Sequence, residues 1–284
     1  MATRTARAQA AGSTPPVCVF SKHLQFIDDF RELGRTCREL GLDGVDLTVR
    51  KGGHVLPEHA ATDLPRAVEA IRAEGLDVCM ITTNLCRGDD PDAEPILSAA
   101  SKLGIRYFRV GPHRYSDDGD VLTELDGFTE ELRSLAEVAA RHDMVAGYHN
   151  HSGPRYMGAP LWDLHRAVTA IGRPSFGSNF DVGHATVEGG YGGWRINARL
   201  MAPHVKMLAA KDFVWDTTDR PMWVPLGSGR VQLVEFLKLF RQVGFAGPIS
   251  THFEYKVPSN EAMLDEIRNA AVTVRAALRE AGYA

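Results

Sequence analysis

Two histidines stand one residue apart in the stretch AGYHNHSG, at the end of an apolar run. Side chains alternate between the two faces of a strand, so a strand here directs His149 and His151 to the same side. The same spacing places His252 and Glu254 on one face in THFEY, and Asp181 ends another apolar run. Imidazoles and carboxylates that converge on one point suit a divalent metal such as Mn²⁺, Co²⁺, Mg²⁺ or Zn²⁺. The pattern therefore predicts a metal site, provided that the fold brings these strand ends together.

A repeat of helix, glycine turn and strand supplies a scaffold that could do so. The stretch FIDDFRELGRTCREL has Phe26, Phe30 and Leu33 at helical spacing, and it is followed by a glycine turn and the strand-like VDLTV. Eight short apolar strands, from VCVF to GPISTHFEY, begin roughly 30 to 40 residues apart, which is the length of one βα unit. Alternating βα units favour a parallel sheet buried on both faces, and eight units favour a closed barrel. We predict an α/β fold, a single-domain (β/α)8 TIM barrel over residues 17–284, after a disordered tail over residues 1–16.

Composition and motifs exclude several other classes of protein. The formal charge of −4 and the absence of a long Lys/Arg run argue against nucleic acid or an anionic membrane as the partner. No apolar stretch approaches the ~18 residues of a membrane span. Neither a G-x-G-x-x-G turn after the first strand nor a G-x-x-x-x-G-K-[ST] loop occurs, so the dinucleotide and P-loop folds lack their phosphate signatures. The four cysteines form no C-x-x-C pair and are expected to be reduced and mostly buried.

The first residues bear on where the protein works. They are rich in alanine and small polar residues, and Ala8-Gln9-Ala10 resembles the small-residue cleavage site of a signal peptide. The apolar segment of such a peptide is missing. We therefore expect a cytoplasmic protein, with export after loss of the front of a signal as the alternative.

In barrels of this kind chemistry gathers at the C-terminal ends of the strands, where the βα loops open. Six of the 11 histidines stand at or just beyond these predicted ends: His23, His113, His149, His151, His184 and His252. We predict that substrate is contacted by seven residues of these ends and their loops: His23, Arg50, His54, Asn84, Arg109, His113 and Trp215. The tryptophan is included because aromatic faces stack on sugar rings.

Four strand-end motifs, YHNH, FDVGH, AAKDF and HFEY, resemble those of the xylose-isomerase-like barrels. That superfamily contains sugar-phosphate isomerases, ketose 3-epimerases, inosose dehydratases and endonuclease IV, and the resemblance extends from about Pro16 to the last helix. It implies a divalent metal held by residues of the last four barrel strands. On this sequence it implies Asp181 and Glu254 as ligands, and His149 in the place of a glutamate.

The chain also departs from the superfamily pattern at the seventh strand. Many members read H-x-K-D there, whereas Ala209 stands two residues before Lys211 in this chain. The resemblance therefore leaves the fourth ligand position open to water, to substrate or to another histidine. The remaining polar residues of the site are predicted to transfer protons: His151, His184, Lys211 and His252.

The resemblance favours a sugar isomerase or epimerase that removes a proton next to a carbonyl, with the metal stabilising the enediolate. The alternative is a lyase or dehydratase acting on 3-keto-glycosides, including C-glycosides, which removes the C2 proton and expels the C1 substituent. Some such members work with a smaller second subunit, so a homo-oligomer or an accessory subunit stays open. A non-catalytic sugar-binding barrel ranks third. The endonuclease reading ranks last, because it needs a basic face that the charge balance does not supply.

Overall fold

A computed structural model describes residues 14–283, and these form one closed barrel of eight parallel strands surrounded by helices. The strand order around the barrel is β1-β10-β7-β6-β5-β4-β3-β2. The strands are β1 Val17–Phe20, β2 Gly44–Thr48, β3 Asp77–Thr82, β4 Tyr107–Val110, β5 Val145–His149, β6 Phe176–Asp181, β7 Val205–Ala210 and β10 Ile249–Thr251, with β8 Asp212–Trp215 and β9 Pro221–Val224 outside the barrel. The helices are α1 Phe30–Glu39, α2 Ala60–Ala73, α3 Ala93–Lys102, α4 Val121–Arg141, α5 Trp162–Ile171, α6 Val182–Glu188, α7 Trp194–Met201, α8 Leu233–Gln242 and α9 Asn260–Glu280. The predicted single-domain (β/α)8 barrel is confirmed.

The chain enters the barrel at residue 16. The backbone N–H of Ile249 donates to the carbonyl oxygen of Pro16 at 2.9 Å, one residue before β1 begins. The predicted disordered tail falls mainly on residues 1–13, which lie outside the described residues. Over residues 14–283, none of the helices combines the length and apolarity needed to cross a bilayer.

The first helix begins later than predicted. The carboxylate of Asp29 accepts the backbone N–H of Glu32 at 2.8 Å, so Asp29 is the N-cap and α1 begins at Phe30. Phe26 therefore lies outside the helix and is 40% exposed, whereas Leu33 and Cys37 are buried as expected. The prediction that Phe26 joins the buried face is wrong, because the capping side chain outweighs the apolar spacing.

The eighth barrel strand is shorter than the predicted GPISTHFEY segment. Its ladder ends at Thr251, although the N–H of His252 still donates to the carbonyl oxygen of Ala210 at 3.0 Å. The next N–H, that of Phe253, donates to Nε2 of the His23 side chain at 3.1 Å. The segment leaves the sheet at this point because a side chain replaces the neighbouring strand as acceptor.

An antiparallel hairpin, β8 and β9, interrupts the connection from β7 to α8, and the sequence analysis did not predict it. The buried carboxylate of Asp212 accepts backbone N–H groups from Gly227, Gly229 and Val231 at 2.9–3.0 Å. These bonds fold the loop after β9 back onto the start of β8. The hairpin thereby stands at the C-terminal end of β7, next to the barrel mouth.

The barrel interior is apolar at one end and polar at the other. Cys18, Met80 and Met207 form a small buried cluster inside the barrel, separate from the large core between strands and helices. Towards the C-terminal ends of the strands the same inward positions become polar. The buried polar residues at these positions include Asp46, Thr82, Arg109, His149, Asn179, Asp181, Lys211, Ser250 and His252.

Candidate active site

Asp181 is the best-anchored side chain of the site. It ends β6 and is the N-cap of α6, with its Oδ1 accepting the backbone N–H of His184 at 2.8 Å. Asn150 fixes the same residue from β5: its Oδ1 accepts the N–H of Asp181 at 2.8 Å, and its Nδ2 donates to the carbonyl oxygen at 3.1 Å. These bonds leave the second carboxylate oxygen, Oδ2, free to face the barrel interior.

His149, Asp181 and His252 form a buried group of potential metal ligands, with one ligand atom of each within 4.8 Å of the others. His149 Nε2 lies 3.3 Å from Asp181 Oδ2, and the two imidazole rings stack at 5.6 Å between centroids. Among the described residues no hydrogen bond is made by either nitrogen of His149, by Nε2 of His252 or by Oδ2 of Asp181. Buried polar atoms without partners are uncommon, and a shared cation would bind one nitrogen of each imidazole together with Oδ2 of Asp181. The donor set therefore fits a divalent metal.

The charge states in this group also suit a metal. Burial lowers the pKa of His149 and of His252 well below its usual value, so both imidazoles are neutral and offer lone pairs. Burial alone would raise the pKa of Asp181, but the positive charge of Lys211, with smaller contributions from neighbouring groups, brings it below its usual value. The group therefore combines two neutral nitrogen donors with one carboxylate.

Lys211 lies beside this group with its ammonium buried. Its Nζ is 3.2 Å from Asp181 Oδ2 and 3.1 Å from Glu254 Oε2, and the side chain is only 2% exposed. The ammonium also lies 4.3 Å from the ring centroid of Trp223 on the hairpin, in a cation–π contact. Gly183 permits this approach, because a Cβ there would come within 2.7 Å of the Lys211 side chain. The lysine is thus enclosed by two carboxylates and one aromatic ring.

His184 links Lys211 to the loop after β5. Its Nε2 lies 2.6 Å from Lys211 Nζ and its Nδ1 lies 2.7 Å from Ser152 Oγ. An ammonium can only donate, so Nε2 accepts and Nδ1 carries the proton. A second group of potential ligands, His149, His151 and His184, also lies within 4.8 Å, but both nitrogens of His184 already have partners. The group with Asp181 is therefore the better metal site.

His151 faces the same space from the end of β5. Its Nε2 lies 3.3 Å from Arg109 Nη2, and its ring stacks on Tyr156 at 4.8 Å. Burial, together with the positive charge of Arg109, lowers the pKa of His151 to about 3. The imidazole is neutral at physiological pH, and its Nδ1 has no hydrogen-bond partner among the described residues.

Phe20, at the end of β1, joins several of these groups, and the sequence analysis did not single it out. Its ring stacks on His252 at 4.8 Å, and the guanidinium carbons of Arg50 and Arg109 lie 5.2 and 5.5 Å from its centroid. His23 packs edge-on against the same ring at 5.7 Å. The predicted substrate residues Arg50, Arg109 and His23 therefore all pack against the ring of Phe20.

The other predicted substrate residues lie farther out. The His54 ring contacts Thr48 Oγ1 at 3.2 Å, and Asn84 is exposed in the loop after β3. His113 packs against α4, where its Nε2 lies 2.9 Å from Glu131 Oε2. Trp215 is partly exposed on the hairpin and packs edge-on against another hairpin residue. None of these contacts joins His54, Asn84, His113 or Trp215 to Lys211 or to the potential metal ligands.

Trp223 and Ser152 both contact His184, and neither was predicted as a site residue from the sequence. Trp223 packs on the imidazole of His184 at 5.0 Å as well as on Lys211, and Ser152 bonds the far side of that imidazole. The sequence signal for Ser152 was its place directly after the histidine pair. Trp223 was not predicted as a site residue, because its contact with Lys211 and His184 depends on the unpredicted hairpin.

The buried carboxylate of Asp46, on the inner face of β2, leads to a prediction about how stability depends on pH. Asp46 accepts the hydroxyls of Thr82 and Ser250 at 2.8 Å, yet burial raises its pKa to about 6. Because the folded protein holds this proton more tightly than the unfolded chain, stability falls as the pH rises through the folded pKa. We expect the free energy of unfolding of wild type, minus that of Asp46→Asn, to fall by about 2 kcal/mol between pH 4 and pH 7. Urea titrations across this range measure the difference, and a flat difference would contradict the assignment.

Comparison with known proteins gives both a sequence match and structural matches. The sequence profile described as "Xylose isomerase-like TIM barrel" matches residues 35–272. Among curated proteins none matches the sequence significantly.

Three solved structures illustrate the structural similarity. The IOLI protein with a bound zinc atom aligns with a TM-score of 0.76 at 14% identity, over 95% of this chain and 99% of that chain. The 3-keto-D-glucoside 4-epimerase YcjR from E. coli aligns at 0.70 and 14% identity, over 93% and 100%. The probable 3-DHS dehydratase AsbF from Bacillus anthracis aligns at 0.68 and 14% identity, over 89% and 97%. At such identities the matches show the shared fold.

Proposed function

Because the chain belongs to the xylose isomerase-like TIM barrel family, we propose that it is a divalent-metal-dependent enzyme that moves a proton on a carbon next to a sugar carbonyl, as isomerases and epimerases do. One observation carries the proposal: His149, Asp181 and His252 bring buried ligand atoms to one point at the catalytic end of the barrel, and none of these atoms makes a hydrogen bond among the described residues. A neighbouring ammonium, a guanidinium and a partly exposed carboxylate surround that point. Proton transfer beside a carbonyl requires a group that stabilises the developing negative charge, a base and an acid, and these residues can supply all three.

The proposed metal ligands are His149, Asp181 and His252. Two imidazole nitrogens and one carboxylate oxygen suit Mn²⁺, Co²⁺ or Zn²⁺ better than Mg²⁺, which prefers oxygen ligands throughout. When bound, the ion would polarise the substrate carbonyl and stabilise the negative charge that develops on its oxygen.

We assign substrate binding and proton transfer to different side chains according to where each one lies. The guanidinium of Arg109 lies over the ring of Phe20, and we propose that it donates hydrogen bonds to substrate oxygens. Glu254 is more exposed than Asp181, with 34% of its side chain accessible to solvent, and its Oε2 lies 3.1 Å from Lys211 Nζ. We assign proton transfer to Glu254 as the base and to neutral His151, whose Nδ1 carries a proton because its Nε2 accepts from Arg109.

A second reaction, elimination from a 3-keto sugar, is favoured by the environment of Lys211. The ammonium donates to neutral His184, which is in turn bonded to Ser152, so Lys211 is held at the site as a proton donor. An acid in this position would protonate a leaving hydroxyl or glycoside oxygen after the C2 proton is lost. Both reactions begin with the same proton abstraction, and they differ in whether a group then leaves.

Solvent deuterium incorporation tests both reactions. Protein stripped with EDTA and reloaded with Mn²⁺ or Co²⁺ is incubated in D₂O with ketohexoses, their phosphates and 3-keto-glycosides. We expect deuterium in at least one sugar with the metal-loaded protein, and a rate at least about 10²-fold lower after stripping. An unchanged mass apart from deuterium indicates isomerisation or epimerisation, and a released aglycone or water indicates the lyase. Exchange that is equally fast without metal would contradict the proposed metal dependence.

A further inference from the structure

The proposed metal site already contains a cation of its own. We propose that Lys211 is a built-in counter-ion that competes with the divalent metal for Asp181, so that metal binding moves the ammonium away from Asp181 and leaves it paired with Glu254 alone. This inference rests on the proposed function, because it concerns the same site. It assigns to Lys211 a control of metal affinity that is separate from any role in proton transfer.

The competition follows from a shared atom. Asp181 Oδ2 is the oxygen that faces His149 Nε2 at 3.3 Å, and it is also the oxygen that Lys211 Nζ approaches at 3.2 Å. The other oxygen, Oδ1, is committed to the N-terminus of α6 through His184 N–H. A metal on His149 and His252 therefore has to use the oxygen that the lysine holds.

The charge balance points the same way. Asp181, Glu254 and Lys211 together carry a net charge of about −1, and the neighbouring imidazoles are neutral because their pKa values are lowered by burial. A dication would change this to about +1 in a space from which water is largely excluded. Like charges that share one buried oxygen repel strongly. Moving the ammonium towards Glu254, which is one third exposed, lets solvent screen part of that repulsion.

Strand β7, which ends one residue before Lys211, supplies no ligand for the metal. Ala209 is the preceding inward position of β7, directly paired with Asp181 in the ladder, and its methyl group is fully buried. On this segment the only polar group at the site is the ammonium, two residues later. Trp223 and His184 hold that ammonium in place, since the first lies 4.3 Å and the second 2.6 Å from Nζ.

The first test compares Mn²⁺ affinity in Lys211→Met with that of wild type. Titration calorimetry of EDTA-stripped protein is expected to show binding tightened by at least about tenfold when the competing charge is removed. Lys206→Met is the matched control, because Lys206 lies near the start of β7, five residues before Lys211 and roughly 16 Å away along the extended chain, and the Mn²⁺ affinity of this variant should equal that of wild type. Wild-type binding that Lys211→Met leaves unchanged or weakens would overturn the competition but not the metal site. No Mn²⁺ binding by either protein would overturn both.

A second test uses wild-type protein and does not depend on the folding of a variant. Reductive methylation with formaldehyde and cyanoborohydride, followed by peptide mass spectrometry, reports how accessible each lysine amine is. We expect Lys211 to be methylated at least about fivefold faster in Mn²⁺-saturated protein than in stripped protein, because the ammonium loses one of its buried partners. Lys206 serves as the internal control and should not change. A Lys211 rate that is the same with and without bound Mn²⁺ would overturn the displacement.

Discussion

An Asp181→Asn protein is expected to fold and to lose its divalent ion. The amide oxygen of asparagine can still accept the His184 N–H that caps α6, so the helix start is preserved. What disappears is the negative charge at Oδ2, the oxygen shared by His149 and Lys211. Removing one partner of a buried charge interaction costs about 3–5 kcal/mol, which corresponds to a loss of roughly two to four orders of magnitude in metal affinity.

Asp46→Asn is the matched control for this prediction. Asp46 is also fully buried inside the barrel, but its two oxygens accept the hydroxyls of Thr82 and Ser250 and it belongs to neither group of potential ligands. Titration calorimetry with Mn²⁺ should therefore show wild-type affinity for Asp46→Asn and no measurable binding for Asp181→Asn. If Asp181→Asn bound Mn²⁺ as tightly as wild type, the metal site would lie elsewhere in the chain.

The fold could be predicted from the sequence because its signals are local and repeated. Eight apolar strands, each followed by a helix or crossover, specify a closed barrel without knowledge of any single contact. Strand alternation also put His149 and His151 on one side of their strand, and the end of the β6 run put Asp181 at the same end of the barrel. Where a local capping signal competed with apolar spacing, as at Asp29 and Phe26, the spacing alone misled the prediction.

The partners within the site could not be predicted in the same way, because they depend on distances between elements. Lys211 was predicted to transfer protons, but its simultaneous contact with Asp181 and Glu254 is visible only once β6, β7 and the segment after β10 are assembled. His252 stacks with His149 across the barrel interior, a contact between two strands that are not neighbours in the sheet. Sequence spacing orders residues along one strand and carries no information about such cross-barrel pairs.

Glu254→Gln is expected to separate metal binding from proton transfer. The family resemblance implies that Glu254 is a metal ligand, whereas the structure places its carboxylate on Lys211 and outside both groups of potential ligands. Because the pair is partly exposed and screened by solvent, its loss should change Mn²⁺ affinity by less than about fivefold. If Glu254 carries the proton, deuterium exchange into the sugar that wild type accepts should fall by about 10²–10⁴-fold.

Glu266→Gln provides the matched control, since Glu266 lies on α9 and accepts the hydroxyl of Tyr255 at 2.7 Å instead of contacting the metal site. Its exchange rate and Mn²⁺ affinity should both equal those of wild type. A Glu254→Gln protein that lost Mn²⁺ would make Glu254 a ligand, as the resemblance implies, and would leave His151 as the group that transfers the proton. Retained metal together with unchanged exchange would remove Glu254 from the mechanism, because a carboxamide cannot replace a carboxylate as a proton acceptor.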